Sequence, residues 1–147
     1  MKLSTKARYA LRATLELALR EGDGPVQLRH IAKAQDISPK YLEQLAMPLR
    51  NAGIVRSERG PSGGYELARL AATITALDVV QAVEGPMDLL DCVGQSRLCA
   101  RAETCAARTL WGRLSAAIAD VLRDTTLADL RESQREADTG ETFCYQI

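Results

Sequence analysis

The sequence has one histidine, His30, and it lacks a glycine-rich phosphate loop, a Ser/His/Asp set and paired carboxylates at a catalytic spacing. A single imidazole leaves little for acid–base chemistry near neutral pH, so an enzyme is not expected. Aromatic residues are also scarce, with one Phe, one Trp and four Tyr. The core must then be built from Leu, Ile, Val and Ala, which suits helices and argues against an all-β domain. No apolar run reaches the roughly 18 residues that a membrane-spanning helix needs. Charges interrupt the stretch from Met1 to Arg20, so no signal peptide is expected either, and the chain reads as cytoplasmic. In that reducing compartment its four cysteines are poor disulfide candidates, which leaves metal ligation, redox chemistry or plain packing.

What remains is a chain of 147 residues, 46% apolar, enough for one domain or a small domain with an appended element. Its zero net charge hides a division. Residues 1–70 carry 12 Lys and Arg against 7 Asp and Glu, whereas residues 71–147 carry 7 against 12. A basic half can approach phosphates while an acidic half stays clear of them.

Helical periodicity starts early. In Arg8 to Arg20, Leu11, Leu15, Ala18 and Leu19 form an apolar stripe, with Arg8, Arg12, Glu16 and Arg20 on another face. Gly22, Gly24 and Pro25 end that helix. Leu28 to Gln35 makes a short second helix, and Asp36 and Ile37 form a tight turn. Ser38-Pro39 then supplies an N-cap and a first-position proline for a third helix, with Leu42, Leu45 and Leu49 inward and Gly53 at its C-terminal cap. Pro48 removes a backbone donor inside this helix, so a kink or tighter geometry is expected there. Two helices joined by so short a turn outline a helix-turn-helix. Ile54 to Ser57 and Tyr65 to Ala68 read as strands around the Gly- and Pro-rich ERGPSGG, a hairpin that would serve as a wing.

Thr75 and Asp78 form a capping-box pair for a helix running to Glu84. After a cysteine-containing segment, Leu110 to Leu122 places Leu110, Leu114, Ala117, Ile118 and Val121 on one stripe, despite Gly112. A short helix restarts at Thr126, and a polar tail is expected from about Ser133. The fold class expected is mainly α with a small β-hairpin: a winged helix-turn-helix domain over residues 1–85, a cysteine loop over 86–107, a dimerisation helix with a short following helix over 108–132, and a tail over 133–147. The stripe of the long helix needs a partner, and a twofold dimer supplies one.

A reading helix enters the major groove by its amino-terminal end, so its exposed residues there must be polar. Ser38, Lys40, Tyr41, Glu43 and Gln44 meet that demand. Gln44 suits paired bonds to adenine, Glu43 accepts from the cytosine amino group, and Lys40 or Ser38 can hold guanine or phosphate. A carboxylate facing DNA is repelled by phosphate, so Glu43 would select a base and not simply add affinity. On the wing, Arg56 and Arg59 are placed to reach the minor groove or the backbone, Arg59 foremost. An ordinary solvated face accounts for any single one of these residues equally well; the ordered combination is more specific.

Cys92, Cys99 and Cys105 lie in DCVGQSRLCARAETC. Three thiols this close suit an iron-sulfur cluster, zinc, a redox switch or packing.

The opening MKLSTKARYAL, the segment ISPKYLEQL, the wing RGPSGGY, the three cysteines and the LW at the start of the long helix together resemble the IscR and NsrR family of bacterial winged-helix regulators, to about residue 132. The resemblance implies a homodimer on double-stranded, palindromic promoter DNA, acting as repressor or activator. It also implies an iron-sulfur cluster, 2Fe-2S by the similarity to IscR-type members, held by Cys92, Cys99 and Cys105 between the long helix and the neighbouring subunit. Such a cluster would report redox state, nitric oxide or iron-sulfur supply. The fourth ligand departs from the pattern. Where IscR-type members carry a histidine, this chain has Arg108, and where NsrR-type members use a partner aspartate it has Arg8; neither guanidinium ligates. Cys144, Asp91, Glu103 and a small exogenous ligand remain as candidates, His30 less so. The alternative is a winged-helix regulator that uses the cysteines as a thiol switch or zinc site without iron.

Overall fold

Residues 4–140 are described by the computed structural model. In chain order they form α1 (Thr5–Leu19), α2 (Leu28–Gln35), α3 (Pro39–Asn51), β1 (Val55–Glu58), β2 (Gly64–Leu67), α4 (Ala76–Glu84), α5 (Asp91–Gly94), α6 (Ala106–Asp124) and α7 (Leu127–Asp138). Single 3-10 turns stand at Ala71–Thr73 and Ser96–Leu98. The strands pair antiparallel, from Val55 opposite Leu67 to Glu58 opposite Gly64. A bridge between Val26 and Tyr65 ties the hairpin to the α1–α2 connection. This is a helical domain with a two-stranded wing. Among the described residues no helix is long and apolar enough to cross a membrane.

The local signals for the helix-turn-helix act as the sequence reading expects. The α3 terminus is closed by two backbone bonds, Gly53 N to Arg50 O and Ile54 N to Leu49 O, both 3.0 Å. Gly53 takes φ +67 to allow them, and Leu49 and Ile54 are both buried beneath the turn. The helix runs through Pro48 without a break, because only one donor is lost and the next turn resumes with Ala52 N on Pro48 O. Thr75 and Asp78 close a reciprocal capping box on α4.

Helix α1 departs from its expected face. The side chains it buries are Ala7, Ala10, Ala13, Thr14, Glu16, Leu17 and Ala18, while Leu11, Leu15 and Leu19 are only half-buried. Alanines give a low, flat surface on which α4 can lie close, with Val79 and Val80 fully buried. The larger leucines are left on the flank. Thr14 is accommodated in the core because its hydroxyl donates to the Ala10 carbonyl at 2.9 Å.

The C-terminal half also differs. Helix α6 starts at Ala106, a turn earlier than the periodic stripe, and buries only Ser115 completely. Leu110, Trp111, Leu114 and Val121 are exposed on it, Val121 by 67%. Where a polar tail is expected from Ser133, α7 continues to Asp138. A capping box from Thr126 and Asp129 starts it, and the following residues, Arg, Glu, Gln and Ala among them, are good helix formers. Leu127 is fully buried with the α1 and α4 residues of the core, and its N–H donates to the Ile74 carbonyl at 2.9 Å. After α6 the chain thus returns to pack on α1.

Candidate DNA-reading face and cysteine loop

The turn before α3 is set by Asp36, the one described non-glycine residue at positive φ. Ile37 is buried behind it and donates its N–H to the Ala32 carbonyl at 3.0 Å. Ser38 then caps α3, its Oγ accepting from the Tyr41 N–H at 3.1 Å. With Leu42, Leu45 and Leu49 buried on one side, Lys40, Glu43 and Gln44 are left exposed together on the other, and Ser38 is exposed at the N-terminal end of the helix. Tyr41 is half-buried instead, its ring edge-on to Tyr9 with centroids 5.8 Å apart. The guanidinium of Arg8 lies 4.9 Å and that of Arg12 5.7 Å from the centre of the Tyr9 ring.

A polar network that the periodicity does not announce fixes α2 against α1. Arg12 donates from Nε to Gln35 Oε1 at 3.0 Å and from its terminal nitrogen to the Gln35 carbonyl. Gln35 Nε2 donates to Glu16 Oε2 at 2.9 Å, and Glu16 Oε1 accepts from Arg20 Nε at 2.9 Å. Glu16, read from the sequence as a solvent-face residue, is buried. A buried carboxylate is tolerable only when paired and hydrogen-bonded, and this one is. The i, i+4 pairing with Arg20 was the available signal; Gln35 is distant in sequence. Because α2 leads directly into α3, the network holds the reading helix at a set angle to α1.

On the wing, Arg56 is a strand residue and not a loop residue. Its Nε donates to Glu66 Oε1 on the facing strand at 2.9 Å, while the side chain stays largely exposed. Arg59 sits in the loop and is exposed. The wing is held at its root by Val26 and Tyr65, which exchange two backbone bonds of 2.8 Å, and by Gln27 Nε2 on the Pro61 carbonyl at 3.3 Å. Gly64 makes that contact possible: a Cβ there would sit on the Val26 backbone and 2.8 Å from Gln27 N.

Cys92 lies in α5, Cys99 follows the second 3-10 turn, and Cys105 is the N-cap residue of α6. All three are free and half-buried. The segment is braced on α6 by Ser115 Oγ, which accepts from Leu89 N at 3.1 Å, and by Arg108. Arg108 donates from Nε to the Cys92 carbonyl at 2.7 Å and, more loosely at 3.4 Å, to the carbonyls of Ala102 and Val93. The position that would carry an imidazole ligand thus clasps the two arms of the cysteine loop. Among the described residues, no three His, Cys, Asp or Glu side chains are gathered closely enough to hold a metal ion. Asp91, Glu103 and His30 are exposed. Cys144 lies outside the described residues. In donor chemistry, three accessible thiols on one short loop fit an iron-sulfur cluster; in arrangement, the loop must draw them together to hold one.

Comparison with known proteins agrees with this layout. The Rrf2 family model, described as iron-dependent transcriptional regulator, matches residues 3–133. The chain is 45% identical over 130 residues to the HTH-type transcriptional regulator CymR of Bacillus subtilis, covering 88% of this chain and 89% of that one. It is 43% identical over 134 residues to the HTH-type transcriptional regulator IscR of Erwinia tasmaniensis, covering 91% and 81%. The solved structure of CymR, the global cysteine regulator of B. subtilis, superposes with a TM-score of 0.79 at 43% identity, over 90% of this chain and 98% of that one. These relatives are regulators, not enzymes.

Proposed function

The chain belongs to the Rrf2 family of transcriptional regulators, and from that premise we propose that it is a homodimer that reads palindromic promoter DNA in the cytoplasm and reports redox, nitric oxide or iron-sulfur status through Cys92, Cys99 and Cys105. The observation that carries the reading is α3, capped by an exposed Ser38 and with Lys40, Glu43 and Gln44 exposed on one face, next to a wing that offers Arg59. Arg56, exposed beside its bond to Glu66, adds to the wing, and Tyr41 braces the face through Tyr9. The dimer rests on the uncovered apolar side chains of α6, since a stripe of Leu110, Trp111, Leu114 and Val121 left in water is costly, and a second copy would bury it.

Cys92, Cys99 and Cys105 would hold the cluster, which when bound would supply one-electron redox chemistry and reactivity toward oxidants. What the chain itself supplies is the loop clasped by Arg108 and seated on α6, which leads through Thr125 and Thr126 into α7, and α7 packs on α1. That route lets loop closure bias the placement of the reading helices.

Anaerobic reconstitution, followed by iron and sulfide analysis, visible absorption and a promoter-binding titration, tests this reading. Equal iron and sulfide and a DNA affinity that changes on loading are expected. If Cys92→Ala, Cys99→Ala and Cys105→Ala leave metal content and DNA binding unchanged, sensing through this loop is refuted. A second reading keeps the DNA reader but makes the cysteines a thiol switch or zinc site without iron. The similarity to CymR, described as a global cysteine regulator, favours its thiol-switch form. Zinc, or reversible thiol oxidation without any metal, in anaerobically purified protein would establish it.

A further inference from the structure

Helix α3 buries Leu42, Leu45 and Leu49, and at 3.6 residues per turn the direction opposite to these is that of Lys40 and Met47. Met47 lies between Glu43 and Gln44 around the helix and one turn beyond them along it. It is 59% exposed, and it is the one exposed large hydrophobic residue among the described residues from Ser4 to the end of the wing; the others begin at Leu70. A helical side chain leans toward the N-terminal end of its helix, so Met47 covers the turn that carries Glu43 and Gln44. The centre of the polar reading face is therefore a flexible thioether.

Hydrogen-bonding residues around an apolar one match what the major groove offers. Of the base-edge groups there, one is apolar, the C5 methyl of thymine, and an unbranched, polarisable chain can settle against it without demanding one geometry. A methionine held largely in water at this position gains little from folding, since more than half of its surface stays exposed in the free protein. Covering it against a methyl group gives its burial to the complex.

We propose that Met47 is a specificity-determining residue of the DNA reader, selecting thymine at one position of each half-site by apolar contact with the C5 methyl. The inference rests on the reading of α3 as the recognition helix. Its magnitude follows from the burial of one methyl group, about 0.8 kcal/mol, or about fourfold in affinity per half-site.

The test uses the full chain and a duplex selected by the wild-type protein from a randomised pool, with each thymine replaced singly, in both half-sites, by deoxyuridine, which removes only the methyl. Affinity is read by fluorescence anisotropy at one salt concentration. The wild type is expected to lose affinity about fourfold per half-site at one thymine position. Met47→Ala should bind more weakly and be indifferent to that replacement, and Met47→Leu should retain sensitivity to it. Selective binding with no thymine sensitive to methyl removal would overturn the inference and leave the DNA-reading assignment standing. So would equal sensitivity in Met47→Ala, or a loss of affinity in that variant that is uniform across sequences. Failure of the wild type to select any sequence would instead overturn the reading of α3, and the inference with it.

Discussion

Replacing Leu127 with alanine separates two accounts of the segment after the long helix: an appendage of the dimerisation helix, or a part of the DNA-reading domain. Leu127 has no exposed surface and belongs to the cluster formed by Ala10, Leu17, Ile74 and Val79. Truncating a leucine in a packed core costs about 3–5 kcal/mol, the transfer of three carbons plus the cavity they leave. Leu127 is the first residue of its helix, where the chain can settle inward, so the lower end, about 3 kcal/mol, is expected. For a chain of this size that is about 6–12 °C in Tm. Val121→Ala is the control. Its side chain is 67% exposed, and within one protomer its removal should change stability by less than about 0.5 kcal/mol. If α6 joins two copies, the control should instead lose stability only as protein concentration is raised into the dimer range. Urea unfolding of both variants at two concentrations provides the measurement. A Leu127→Ala cost below about 1 kcal/mol, or one matching Val121→Ala, would refute the placement of α7 in the core.

Other perturbations test the joints around the site. Glu21 accepts from the Ala71 N–H at 2.8 Å and from Arg131 at 2.6 Å, and these bonds hold its carboxyl below the usual carboxylate range. A lowered folded-state value means that its contribution is complete above the unfolded pKa and is lost as pH falls through the folded one. Glu21→Gln should therefore be less stable than the wild type at neutral pH and converge with it in acid, in thermal melts across pH 3–7. Gly64→Ala forces a Cβ onto the Val26 and Gln27 backbone; a loss of about 1–3 kcal/mol and weaker DNA binding are expected, and unchanged melting would refute the close approach. Arg108→Ala releases three carbonyls from their clasp, so alkylation of Cys92 and Cys105 in metal-free protein should accelerate several-fold, as followed by mass spectrometry of the labelled peptides.

The reading domain was legible because its signals are local. Ser38-Pro39, Gly53, the Thr75–Asp78 pair and the glycines of the wing each fix their own few residues, and the structure uses each as a cap or turn. The face of α1 was not legible, since alanine carries little hydrophobic weight in a periodicity count yet permits the closest helix contact. Seen along the helix, Leu11, Leu15 and Leu19 outweigh Ala7, Ala10 and Ala13; seen against α4, they are too large to lie between the helices. Glu16 was misread for a related reason: its partner Gln35 is 19 residues away, and only the fold brings the two together. Helix α7 was cut short because its polar residues after Leu130 resemble a tail, whereas the capping box and the buried Leu127 at its start anchor the whole helix.

The cysteine loop was half legible: its spacing can be read from the sequence, its convergence cannot. Its spacing gives three thiols, but a cluster site is defined by convergence, and among the described residues of one protomer three donors are not gathered. The same protomer leaves Leu110, Trp111, Leu114 and Val121 in water on the helix to which the loop is braced. Two incomplete features on one element point to one missing neighbour. Closing the stripe against a second α6 would restrict the first turns of that helix, where Cys105 and Arg108 stand, and would thereby position the loop that Arg108 clasps. Under the proposed function, a dimer through α6 would form part of the sensing site, and disrupting the stripe with Leu114→Glu should then weaken cluster retention as well as dimerisation. Analytical ultracentrifugation alongside iron content would show whether the two losses occur together. Monomeric protein that reconstitutes as fully as the wild type would sink the link.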